Sequence, residues 1–69
     1  MEVTAELVGT VWKVLVKTGD EVESEQELII LESMKMEIPV VAPRAGTVRE
    51  VRVKEADVVA EDQVLVVLA

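Results

Sequence analysis

The ten residues Val8-Gly9-Thr10-Val11-Trp12-Lys13-Val14-Leu15-Val16-Lys17 recur 37 positions later as Ala45-Gly46-Thr47-Val48-Arg49-Glu50-Val51-Arg52-Val53-Lys54. The same offset lays Met1 to Glu32 over Ile38 to Ala69, with 13 of the 32 aligned pairs identical. Asp20 meets Asp57, Gln26 meets Gln63, Leu28 meets Leu65 and Leu31 meets Leu68, while Val3 and Ala5 meet Val40 and Ala42. Valine bias alone cannot produce this, because Gly, Thr, Lys, Asp and Gln take part. Two such halves imply one domain with quasi-twofold symmetry. They do not imply a solenoid, which needs three or more copies.

Both halves read as short strands separated by turn signals. The first half predicts strands near residues 2–5, 10–16, 21–22 and 27–33, the second near 36–41, 47–53, 58–59 and 63–68. Val11, Val14 and Val16, like Val48, Val51 and Val53, change parity midway, which predicts a bulge or bend in each long strand. Gly9 and Gly46 open those strands, where glycine accepts positive φ or a close backbone approach. Pro39 and Pro43 belong where no ladder donor is required. Two antiparallel sheets, each drawing strands from both halves, would let the repeated valines form one shared core.

Composition agrees. Valine, isoleucine and threonine supply 23 of the 69 residues, and branched side chains suit a pleated surface better than a helix. A chain this short buries only about 60% of the surface its unfolded form exposes, so it depends on a compact core. There is no Cys and no His, which removes disulfide staples, thiolate ligands and the commonest general base and metal ligand. The formal charge of −7 repels phosphates and argues against nucleic acid and anionic membrane as partners. The longest unbroken apolar run, Val64 to Ala69, is far short of the roughly 20 residues of a membrane helix. No targeting signal is visible, and the expected location is cytoplasmic. Five carboxylates between Asp20 and Glu27 read as a solvated face, since they lack the spacing of a Ca²⁺ loop. Trp12, whose counterpart is Arg49, reads as partial packing or as a partner anchor.

Five residues stand outside the repeat, Ser33-Met34-Lys35-Met36-Glu37. They lie between the apolar runs Leu28 to Leu31 and Ile38 to Val41, so they form a hairpin tip with Lys35 at its centre. Two-residue hairpin turns prefer Asn-Gly or Asp-Gly because their φ values are positive. Met34-Lys35 breaks that rule at a symmetric, exposed point, and such a break marks a candidate site. From the residues alone, Lys35 is either a solubilising charge or that site.

Glu32-Ser33-Met34-Lys35-Met36-Glu37-Ile38, followed by Ala42-Pro43 and Ala45-Gly46, resembles the attachment motif of the biotinyl domains of biotin-dependent carboxylases. Gly9-Thr10-Val11 and Lys17-Thr18-Gly19-Asp20 match the wider biotinyl/lipoyl domain family, and the resemblance covers essentially the whole chain. Short freestanding biotin/lipoyl attachment proteins are the most similar members in length and motif. The resemblance implies an all-β fold, a flattened barrel or sandwich of two four-stranded antiparallel sheets, formed by residues 1–69 with halves 1–32 and 38–69 and the attachment hairpin 33–37.

It further implies that a biotin protein ligase acylates Lys35 with biotin from biotinyl-adenylate, with Met34 and Met36 as flanking recognition positions. Partner sites follow by the same resemblance. A biotin carboxylase would form carboxybiotin from ATP and bicarbonate, and a carboxyltransferase would pass the carboxyl group to an acyl-CoA or keto acid. The chain would be a carrier, not a catalyst. Lipoyl domains usually present Asp-Lys-Ala where this chain has Met34-Lys35-Met36, which favours biotin; the alternative is a lipoate carrier of a 2-oxo-acid dehydrogenase or glycine-cleavage system, or a dual acceptor. Three features depart from the family pattern. Ser33 replaces a common Ala, Glu55-Ala56-Asp57 replaces a usual Gly-Asp turn, and the thumb segment of some bacterial carriers has no counterpart.

Overall fold

The computed structural model describes residues 1–69 as eight strands: β1 (Glu2–Thr4), β2 (Gly9–Val14), β3 (Glu21–Val22), β4 (Glu27–Ser33), β5 (Met36–Val41), β6 (Gly46–Val51), β7 (Val58–Val59) and β8 (Val64–Leu68). They form two four-stranded antiparallel sheets ordered β1-β8-β6-β3 and β5-β4-β2-β7. The offset of 37 maps each sheet onto the other, and each sheet takes two strands from each half. This is the predicted all-β architecture.

The core is symmetric residue by residue. All 16 buried residues are hydrophobic, and they fall into eight repeat pairs: Val3/Val40, Ala5/Ala42, Val11/Val48, Val16/Val53, Val22/Val59, Leu28/Leu65, Ile29/Val66 and Leu31/Leu68. Neither half could enclose its eight alone, since each sheet is built from both halves and its inner face is covered by the other sheet.

The parity change appears as a bulge in both long strands. The β2–β4 register shifts between Val11 and Lys13, and the β6–β8 register shifts between Val48 and Glu50. Trp12 and Arg49 are the extra residues. The ladders stop at Val14 and Val51, two residues short of the expected ends. Leu15 and Arg52 each give one more backbone bond, to Leu28 and Leu65 at 2.9 Å, before the chain turns away with Val16 and Val53 still buried. Gln63, expected at the start of β8, belongs to a turn instead.

The repeated polar identities close those turns. Asp20 Oδ2 accepts from the backbone N–H of Lys17 at 3.0 Å, and Asp57 Oδ2 from that of Lys54 at 3.0 Å. Gln26 Oε1 accepts from Glu23 N–H at 2.9 Å, and Gln63 Oε1 from Ala60 N–H at 3.0 Å. Gly19 and its counterpart Ala56 both take positive φ, +96° and +77°, so the alanine adopts the glycine turn with strain. Gly9 and Gly46 have ordinary φ and serve close approach: a Cβ on Gly9 would sit 2.9 Å from the Glu32 carbonyl oxygen, one on Gly46 3.2 Å from that of Ala69. Pro39 lies on β5, an edge strand, and Pro43 follows its end.

Candidate attachment site

β4 and β5 run antiparallel to their last pair, Ser33 opposite Met36. Only Met34 and Lys35 remain to join them, and both have positive φ, 52° and 66°. That is the pattern of a type I′ turn, whose twist matches that of the flanking strands. Asn or Gly would adopt it easily. Met and Lys carry a left-handed penalty of roughly 1 kcal/mol or more each, which the long β4–β5 ladder below them holds in place.

The tip is open to solvent. Met34 is 92% exposed and Met36 63%, and Lys35 is exposed as well. No carboxylate lies within ion-pair distance of Lys35; the single ion pair in the molecule joins Arg52 Nε to Glu50 Oε1 at 3.7 Å. The structure thus brings the three sequence-predicted residues together on one turn, with the amine free to be approached. A cleft of about 370 Å³ opens elsewhere, between β1 and β5, bordered by Glu2, Glu6, Leu31 and Val40. Neither Met34, Lys35 nor Met36 borders it. The hairpin tip is therefore an exposed projection and no part of a cavity wall.

One feature of the site escaped the sequence reading. Glu32 and Glu37 stand directly opposite each other at the hairpin base, with Thr10 next to Glu32 on β2. Like charges facing across a ladder are unfavourable, and the fold offers neither a cation. Counting outward from Ser33 opposite Met36 would have found the pair.

The family comparison decides what kind of domain this is. Residues 1–68 match the biotin/lipoyl family model, described as "Biotin-requiring enzyme". The chain belongs to the biotinyl/lipoyl domain family. The biotin/lipoyl attachment protein of Bacillus subtilis is 58% identical over 45 residues, 65% of this biotinyl/lipoyl chain and 62% of that protein. The methylmalonyl-CoA carboxyltransferase 1.3S subunit of Propionibacterium freudenreichii is 56% identical over 36 residues, 52% of this chain and 29% of the subunit. The aligned stretches thus span about three fifths of the first relative and less of the second. Among solved structures, the urea carboxylase of Kluyveromyces lactis contains a region that superposes with a TM-score of 0.94 and 32% identity, covering 100% of this chain and 6% of the enzyme. The two-sheet biotinyl/lipoyl fold found here is the fold of that region.

Proposed function

We propose that this domain is a biotin carboxyl carrier module, with biotin amide-linked to Lys35. The observation that carries the reading is the placement of Lys35: an exposed, unpaired amine on a strained two-residue turn, at the point where the repeat is interrupted. The names of the relatives, a biotin/lipoyl attachment protein and a carboxyltransferase subunit, support it.

Loading is a nucleophilic acyl transfer. An ordinary lysine amine is almost wholly protonated at neutral pH, so a biotin protein ligase must take a proton from Nζ. The free amine of Lys35 then attacks the carboxyl carbon of biotinyl-adenylate. An N–C amide bond forms as Nζ gives up a second proton, the bond from that carbon to the adenylate oxygen breaks, and AMP leaves. Lys35 loses its charge, and the domain becomes one unit more negative than −7. We place the encounter in the cytoplasm, where ATP is available to form the adenylate.

Once attached, biotin supplies the ureido nitrogen that accepts and releases a carboxyl group. The chain's own residues present it. The β4–β5 ladder fixes the direction of the tip, and Met34 and Met36 offer flexible apolar surface beside the tether for enzymes to read. Biotin carboxylase and carboxyltransferase sites do the chemistry, and the module is a carrier. Its tether is effective only if larger partners hold it near both sites.

Avidin capture after incubation with ligase, biotin and ATP tests the assignment. The wild-type protein should be retained and Lys35→Arg should not, because a guanidinium stays protonated and cannot accept the acyl group. Capture of the variant would show that Lys35 is not the acceptor.

A further inference from the structure

The repeat supplies an internal control for the surface as well as for the core. Across the outer face of the sheet that carries the hairpin, Lys13, Ile30 and Pro39 form one row. The equivalent row on the other sheet is Glu50, Val67 and Glu2. Trp12 and Leu15, 43% and 49% exposed, have Arg49 and Arg52 as counterparts, and exposed Val41 has Thr4. On the second sheet Arg52 and Glu50 pair at 3.7 Å, as expected of a solvated face. On the hairpin sheet the position of Arg52 is taken by Leu15 and that of Glu50 by Lys13, so no such pair forms, and Trp12, Leu15, Pro39 and Val41 are apolar groups outside the core. Lys13 Nζ lies 5.4 Å from the centre of the Trp12 ring, a cation–π contact within this face.

We propose that this outer face is the docking surface for the biotin protein ligase that acylates Lys35, a partner surface with an apolar centre edged by lysine and arginine. Three observations select that occupant. The face continues directly into the attachment hairpin through β4 and β5, with Pro39 only about 14 Å along the strand from Lys35 at ~3.4 Å per residue, within the span of a standard interface. The facing carboxylates of Glu32 and Glu37, with exposed Glu27 opposite Val41, call for cations from outside the chain. Before modification Lys35 has only its four-carbon stem, so the ligase must bring the domain itself into contact, whereas enzymes acting later reach a cofactor on a longer arm. A second copy of this chain fits poorly, since it repeats the charge of −7 and the same acidic rim.

This inference rests on the carrier reading, and initial rates of ligation separate the two. Unmodified protein is titrated into a purified bacterial biotin protein ligase with biotin and ATP. The double variant Trp12→Arg/Leu15→Arg installs the residues of the opposite face. Its KM should rise about tenfold or more, as when interface anchors are lost, with kcat within about twofold, because binding and not the acceptor is altered. Thr47→Arg/Glu50→Gln makes the same charge change on the other sheet, away from the cleft between β1 and β5, and should leave KM within about twofold. If the double variant melts lower than wild type, Trp12→Ser, which adds no charge, decides in its place and must also raise KM. Wild-type KM should climb with ionic strength, and a salt-independent KM would remove the basic edge from the proposal. Normal ligation of wild type with unchanged KM in the Trp12 variants, or an equal rise in the control, overturns the docking face alone. Failure of wild type to be labelled on Lys35 overturns the carrier reading and this surface with it.

Discussion

Met34 and Lys35 hold left-handed backbone that neither side chain favours, while Met34 is almost fully exposed and packs on no core. Replacing Met34 and Met36 by alanine should therefore leave thermal unfolding within about ±0.5 kcal/mol of wild type, as for ordinary surface changes. The same variant should still be ligated at Lys35 but should accept and donate carboxyl groups more slowly, since Met contacts beside the tether are lost. Melting curves beside carboxylation rates check this; a large melting shift with unchanged kinetics would assign the methionines to the fold. Ala56 offers the converse case. Its φ of +77° is strained for alanine and natural for glycine, so Ala56→Gly should raise stability by roughly 1 kcal/mol, measured by denaturant titration. Lys35 stood out in the sequence because a type I′ turn has a recognisable chemistry and this one violates it. Its role came from resemblance, since exposure and strain do not specify a ligand.

Among the elements, β2 pairs beside β4 at the base of the hairpin, with Thr10 opposite Glu32. A Cβ on Gly9 would lie 2.9 Å from the Glu32 carbonyl oxygen, a rigid backbone atom, whereas the equivalent group on Gly46 has 3.2 Å. Gly9→Ala should accordingly cost more stability than Gly46→Ala, on the order of 1–3 kcal/mol against less than about 1. Equal losses on chemical denaturation would mean that the approach at Glu32 relaxes freely. The valine pattern located the long strands and their irregularity because a change of parity within a strand requires a bulge or a bend, and the register shifts show bulges. Their ends were less legible: Val16 and Val53 remain buried beyond the last ladder pair, and burial without pairing looks like strand in a sequence. The Glu32 and Glu37 confrontation stayed hidden because it depends on register, which apolar patterning alone does not display.

For the molecule as a whole, the eight symmetric core pairs make each half the measure of the other. Val11 and Val48 are equally buried at 1% exposure and occupy equivalent positions after each strand-opening glycine. Val11→Ala and Val48→Ala should each cost about 2 kcal/mol, the transfer loss plus a small cavity, and their melting temperatures should agree closely. One severe and one neutral result would contradict a shared core.

At this scale the repeat was fully readable, because identical residues 37 apart must serve identical places. What the repeat could not reveal is the partner, which belongs to the places where the halves differ: the interrupting hairpin and the unequal outer faces. The mass of the protein isolated from its native host, with the modified residue located by peptide fragmentation, decides whether Lys35 carries the cofactor. A single biotinyl group, on Lys35, is the expected result. An unmodified chain, a lipoyl group in its place, or a biotinyl group on Lys13, Lys17 or Lys54 would contradict it.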